Sequence, residues 1–270
     1  MIYQNLHTHT IYDDGKNTPQ EMAEAALRAG LTSLGFSGHS VLPYENDWAM
    51  TAQSCIEYNA AVEETREEYR GRLTVLRGIE WDHTSALPEG YDYIIGSVHH
   101  LPAAARSFTV DETRDHTLRA LTEHFHGDKA AFAEAYFAEY DALARVPTVD
   151  IVGHFDLLTK FDEPEPIFND GDAVYFDAAI AAMEALLQAD KLFEVNTGAI
   201  SRGYRTAPYP SVRLLRELKA RNARVLVTAD AHSADAIACA FPETEALLKS
   251  LGFRETWELT EAGFVPRALG

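Results

Sequence analysis

The sequence predicts an α/β fold, a closed or nearly closed barrel of seven parallel strands forming a single domain over residues 1–270. Two observations carry this expectation. Short apolar or β-branched runs alternate with longer segments of helical period, and repeated strand–helix alternation is the mark of a parallel sheet. Seven such units in 270 residues suit a barrel better than an open sheet, and this length is where one barrel domain falls.

Strands are expected at residues 2–6, 33–37, 74–79, 91–97, 150–152, 192–195 and 224–228. Between them lie helical patterns. PQEMAEAALRAG begins with Pro19 in its first turn and stops at Gly30. SCIEYNAAVEETREEYRG alternates charges on an exposed face, while DKAAFAEAYFAEYDALARV and DAVYFDAAIAAMEALLQAD are long and amphipathic. PSVRLLRELKARN precedes the seventh strand and ADAIACAFPETEALLKSLG follows it. The acidic, proline-bearing FDEPEPIFNDGD (161–172) reads as a loop over one rim.

Composition narrows the function. The net charge is −19, from 23 basic and 42 acidic residues. Such a surface disfavours nucleic acid and anionic membranes, although bound metal can invert the field locally at a site. Cys55 and Cys239 are the two cysteines, too few for a disulfide framework, which points to the cytoplasm. MIYQNLHTHT has no basic and apolar leader pattern, and no apolar run nears the ~20 residues of a membrane span. Oligomeric state leaves no mark in the sequence.

The histidines and acids fall at strand ends. His7 and His9 follow the first strand, His39 the second (GFSGHS), Glu80 the third (RGIEWD), and His99 and His100 the fourth (IIGSVHHL). His154 follows the fifth (DIVGHFDLL), Glu194 lies in the sixth, and Asp230 and His232 follow the seventh (VLVTADAHS). Barrel enzymes build their sites on that face. Residues two apart on a strand share a side, so His7 with His9 and Asp230 with His232 form convergent pairs. By the same rule His99 and His100 face opposite ways, and one of the two is a ligand. Nitrogen and oxygen donors without cysteine suit Zn, Mn or Fe. Glu80, among several imidazoles, is a natural bridge between two metals, which at about 3.5–4 Å apart can activate water and clamp a phosphate. A lone histidine is usually a satisfied polar residue, and His83, His116, His124 and His126, on loops or helices away from the pattern, are read that way.

These motifs, HTHT, DDG, SGHS, GIEWD, GSVHH, VGHFD and ADAHS, resemble the polymerase and histidinol phosphatase (PHP) family in order and spacing from His7 to His232. GSVHHL and EVNTGAISRG, with the chain length, are most similar to its branch of monofunctional L-histidinol-phosphate phosphatases. The resemblance implies a distorted (β/α)7 barrel with three divalent metals. It places His7, His9, Asp230 and Glu80 on the first metal, Glu80, His99 and His154 on the second, and His39, His232 and Asp14 on the third. Asp14 matches the family pattern better than Asp13, which reads as a solvated neighbour. His99 fits the motif, leaving His100 to packing or to support of a ligand.

The resemblance also implies phosphomonoester hydrolysis. Glu80, Asp230, His232 and Arg202 would be catalytic, with water activated between the metals that share Glu80. Arg202, after the sixth strand, would hold the phosphate, with Lys160 as a second cation. Glu45, in LPYENDW, is placed to receive the amine or imidazole of a cationic substrate, and Glu194 to support a ligand from behind. Three other readings compete. A PHP-type exonuclease would want a basic track that is missing. An amidohydrolase barrel would want a strand-end lysine. A non-catalytic metal-binding regulator would have no use for an open site with an arginine beside it.

Overall fold

The computed structural model describes residues 1–44, 46–102, 108–163, 165–168 and 171–270. Seven strands form one parallel sheet in sequence order: β1 (Gln4–Asn5), β2 (Ser33–Phe36), β3 (Thr74–Asp82), β4 (Tyr93–Ser97), β5 (Ile151–Val152), β6 (Leu192–Asn196) and β7 (Val225–Thr228). Each pairs with the next, so all C-terminal ends emerge on one rim. The edge strands approach each other there. Thr8 and Ala231 form an isolated parallel bridge, with His9 N donating to Ala231 O at 2.9 Å and Ala231 N to His7 O at 3.1 Å.

Below that bridge the seam is closed by a side chain. The buried Asn5 amide oxygen accepts from the backbone N–H groups of His7 and Ala229, and its nitrogen donates to Thr8 Oγ1 and Ile237 O. A side-chain amide thus substitutes for ladder bonds that the short β1 cannot make. The result is a nearly closed, distorted (β/α)7 barrel.

Helices α1 (Pro19–Arg28), α2 (Ala52–Glu68), α3 (Arg114–Phe125), α4 (Lys129–Ala138), α5 (Tyr140–Ala144), α6 (Ala173–Gln188), α7 (Gly198–Ser201), α8 (Val212–Ala220) and α9 (Phe241–Ser250) occupy the connections. Local sequence explains their limits. Thr18 caps α1 in a reciprocal box with Glu21, and Gly30 follows its end at φ +81°. The pattern at 128–146 is not one helix: it divides at Glu139 into α4 and α5. The pattern at 234–252 divides at Ala240, whose φ of +55° no regular helix accepts.

The barrel interior is filled by apolar side chains, with room made by glycine. A Cβ on Gly78 would lie 2.2 Å from the Tyr93 ring, and one on Gly35 2.3 Å from its hydroxyl. Tyr93 is buried and donates its O–H to Leu6 O at 2.5 Å. The strand pattern read from the sequence does not include the C-terminal antiparallel hairpin, Glu255–Thr260 with Gly263–Ala268. Its Leu259, Trp257 and Phe264 pack against Leu6, Ile95, Ile151 and Leu226 at the foot of the barrel. Gln4 locks it by bonding both the N–H and the C=O of Leu259. Among the described residues no helix is long and apolar enough to cross a membrane.

Candidate metal centre

The seven strand ends deliver their polar residues to the floor of one cleft of about 650 Å³. Glu80 lies at its centre, 1% exposed. It sits inside β3, which runs three residues beyond the expected end because Glu80 N donates to Gly38 O and residues 78–82 pair with β4. The two carboxylate oxygens are divided between two groups of imidazoles. Oε2 faces His39 Nδ1 at 2.9 Å, His7 Nε2 at 3.2 Å and His9 Nε2 at 3.6 Å. Oε1 accepts from Ser97 Oγ at 2.7 Å and faces His154 Nε2 at 2.9 Å and His99 Nε2 at 3.4 Å.

His7 and His9 point their Nε2 atoms toward Asp230 Oδ1, at 3.8 and 3.3 Å. Their Nδ1 atoms are held from behind, His7 by Glu194 at 2.5 Å and His9 by Asp13 at 2.7 Å. Glu194 is itself anchored by Thr228 Oγ1, Asn196 Nδ2 and the His154 N–H. Asp13 corrects the sequence reading. It is not solvated: its fully buried side chain accepts from the N–H groups of Thr10 and His39 as well as facing His9. Gly15 lets that loop fold so tightly, since a Cβ there would lie 2.3 Å from Thr10 N. Asp14 instead turns to the cleft, one-third exposed, with His232 Nε2 at 3.2 Å and His39 Nε2 at 3.7 Å.

Donor atoms converge in three groups able to hold a cation: His7, His9 and Asp230; His39, Glu80 and His99; and His9, Asp14, His39 and His232. The chemistry of these donors fits divalent metal on a direct observation. The buried Nε2 atoms of His7 and His9 and Oε2 of Glu80 make no regular hydrogen bond among the described residues. Unpaired buried polar atoms are costly. Imidazoles with Nδ1 on a carboxylate and Nε2 aimed at a common point are arranged as metal ligands are.

The electrostatics agree. Burial alone would depress the His9 imidazole, but Asp13, Asp230 and Asp14 push it up to about 10. Burial would likewise lower His7, yet Glu194, Glu80 and Asp230 hold it well above its ordinary value. Burial would raise the Glu80 carboxyl, yet the His7, His39 and His99 imidazoles keep it well below the usual range. The cluster therefore demands positive charge, which protons or metal ions can supply.

The cationic side of the cleft comes from the loop after β6. Arg202 donates from Nη2 to Asp230 Oδ2 at 3.0 Å and from Nη1 to Asp230 O at 3.1 Å, with His232 Nδ1 2.9 Å away. Asp230 holds a left-handed backbone at φ +46°, and Gly198 admits its carboxylate, since a Cβ there would lie 2.6 Å from Oδ2. Lys160 reaches the same cleft but donates to Asp111 Oδ2 at 3.0 Å and Asp111 O at 2.8 Å. Glu45 lies outside the described residues.

Two further readings change. His99 and His100 do not face opposite ways. The chain leaves β4 at Ser97, and both rings turn to Asp82, at 3.4 and 2.9 Å. His116, at the start of α3, lines the cleft beside Glu112 at 2.6 Å rather than lying away from it. His83 is the paired polar residue expected, outside the cleft lining, with its Nε2 3.0 Å from Glu139 Oε2. Sequence reasoning passed over Asp82, Asp111, Trp48 and Tyr44. The signal for Asp82 was its place two residues after Glu80 on one strand.

A family model described as the PHP domain matches residues 5–198. The chain is 30% identical over 260 residues to the Deinococcus radiodurans protein named "Probable histidinol-phosphatase", covering 92% of this chain and 93% of that one. Among solved structures, the Listeria monocytogenes HisK chain superposes with a TM-score of 0.76 at 15% identity, covering 89% of this chain and 99% of that one. The Lactococcus lactis histidinol phosphate phosphatase, solved with zinc, L-histidinol and phosphate, superposes with a TM-score of 0.72 at 18% identity, covering 97% and 98%. At these identities the two structures speak for the fold. The family match and the Deinococcus relative speak for descent: this chain belongs to the PHP domain family.

Proposed function

We propose that the chain is a metal-dependent phosphomonoesterase that hydrolyses L-histidinol phosphate to L-histidinol and phosphate in histidine biosynthesis, acting in the cytoplasm as one PHP-type domain of residues 1–270. The observation that carries the chemistry is the division of the Glu80 carboxylate between two imidazole groups beside Arg202. The choice of substrate is supported by the name of the Deinococcus relative and by the L-histidinol and phosphate of the Lactococcus structure.

On this reading His7, His9, Asp230 and Glu80 hold one ion, Glu80, His99 and His154 a second, and Asp14, His39 and His232 a third. Divalent Zn, Mn or Fe there supplies Lewis acidity toward water and phosphate oxygens. The remaining work falls to side chains. Arg202 binds the ester phosphate and offsets charge that grows in the transition state. Lys160 adds a second positive charge, tempered by Asp111. His232 or Asp230, both beside Arg202, conveys a proton through water to the departing alkoxide. Direct attack by water is favoured over a phosphoenzyme. Among the described lining residues none is Ser or Cys, and the Thr109 hydroxyl is engaged by Glu112 and His116.

The test is phosphate release from histidinol phosphate, a panel of other small phosphomonoesters and single-stranded DNA, with metal analysis of the purified protein. Preferential release from histidinol phosphate, lost on chelation and regained on adding metal, is expected. Turnover confined to another ester would overturn the pathway assignment, and metal-free turnover the mechanism.

A further inference from the structure

We infer that Asp82 is a positioning residue that sets the His99 imidazole for metal binding and ties it to the aromatic wall of the cleft. The inference rests on reading the cleft as a metal site. Asp82 is 2% exposed and sits two residues beyond Glu80 on β3, so both carboxylates rise on the same side of the strand. His99 lies between them. Its Nε2 faces Glu80 Oε1 at 3.4 Å and its Nδ1 faces Asp82 Oδ2 at 3.4 Å. That Nδ1 is buried and makes no regular hydrogen bond among the described residues. A proton on it has the Asp82 carboxylate before it, which leaves the Nε2 lone pair for a metal.

The same carboxylate reaches outward. Oδ2 pairs with His100 Nδ1 at 2.9 Å, and the His100 ring stacks on Trp48 with centroids 5.7 Å apart and planes 17° apart. Oδ1 accepts from Thr84 N and Thr84 Oγ1, and Thr84 Oγ1 lies 3.2 Å from the Tyr44 hydroxyl. Trp48 in turn packs edge-to-face with His39 and His99, with ring centroids 4.5 and 5.6 Å apart. Tyr44, Trp48 and His100 all line the cleft. Asp82 is therefore the point where the aromatic wall of the cleft joins the support of a metal-facing imidazole. A carboxylate so buried is tolerable because two imidazoles and a hydroxyl share it. An amide in its place keeps the shape but supplies half the acceptors.

The test is a chelator-competition titration of the full chain with zinc alone, for wild type, Asp82→Asn, His99→Ala and the double variant, with circular dichroism to check folding. In Asp82→Asn one ion is expected to bind about 10–100-fold more weakly, the others keeping wild-type affinity. The double variant should match His99→Ala, because the two act through one ligand. If Asp82→Asn does not fold, Thr84→Val, which frees the carboxylate of its hydroxyl, should weaken the same ion by about 3–10-fold. Wild-type affinity for every ion in Asp82→Asn, or losses that simply add in the double variant, would overturn the inference alone. A wild-type chain that takes up no zinc would overturn it together with the reading of the cleft.

Discussion

His7 Nδ1 and Glu194 Oε1 stand 2.5 Å apart, both side chains wholly buried, and this contact turns His7 Nε2 toward Glu80 and Asp230. Three other donors anchor Glu194, so the imidazole is held by a carboxylate that has no freedom of its own. Glu194→Gln should therefore leave the fold intact and weaken metal binding about 10–100-fold. Chelator competition reads the affinity and circular dichroism the fold. Unchanged affinity would mean that Glu194 serves packing alone.

Glu80→Ala removes the group that touches both imidazole sets. Metal content should fall by two ions per chain, and kcat by at least about 10²–10³-fold. Elemental analysis and initial rates measured on one preparation check both. Full metal content with wild-type turnover would dismiss the shared-carboxylate scheme.

Arg202 makes a two-pronged contact with Asp230 while lining the cleft. Arg202→Ala should lower kcat/KM for a phosphomonoester by roughly 10²-fold or more. Lysine at this position should recover little of it, because one ammonium cannot reproduce the planar fork. Inorganic phosphate should also inhibit the variant more weakly than wild type. Equal inhibition would place the phosphate elsewhere.

Asp162 predicts a pH effect outside the metal cluster. Burial pushes its carboxyl up to about 6, against the opposing bonds from the Ile167 and Phe168 N–H groups. The folded state thus keeps this proton at a pH where the unfolded chain, with its ordinary carboxyl near ~3.9, has lost it. Stability from this group is complete below the unfolded value and is lost as pH rises through about 6. Asp162→Asn has no such proton, so wild type should lose melting temperature relative to the variant between pH 4 and pH 7. Parallel melting curves across that range would refute the assignment.

Gly78 meets the Tyr93 ring inside the barrel. Gly78→Ala should destabilise the protein by about 1–3 kcal/mol, since Tyr93 is buried and its hydroxyl is tied to Leu6 O and Phe36 O. The urea midpoint should drop with little change in slope. An unmoved midpoint would show that the ring can shift at no cost.

The sequence by itself determined the seven strand–helix units and the face that carries function. Strand and helix periods are local properties, and a parallel sheet brings every C-terminal end to one rim. It placed His7, His9, His39, Glu80, His99, His154, Asp230 and His232 together for that reason. The C-terminal hairpin escaped it, because its Leu259 and Trp257 are explained by the barrel foot they cover and not by their own short strands. Only the tertiary structure decided which atoms face one another. Asp13 and Asp14 are neighbours in a polar turn, indistinguishable by residue type. The tight loop packed on Gly15 buries one behind His9 and leaves the other open to the cleft. The turn after Ser97 sends both His99 and His100 to Asp82, against the alternation of a continued strand. Lys160 is drawn to Asp111, 49 residues away in sequence. Such pairings depend on where loops return in space, and a charge or a ligand has no sequence period from which that return can be read.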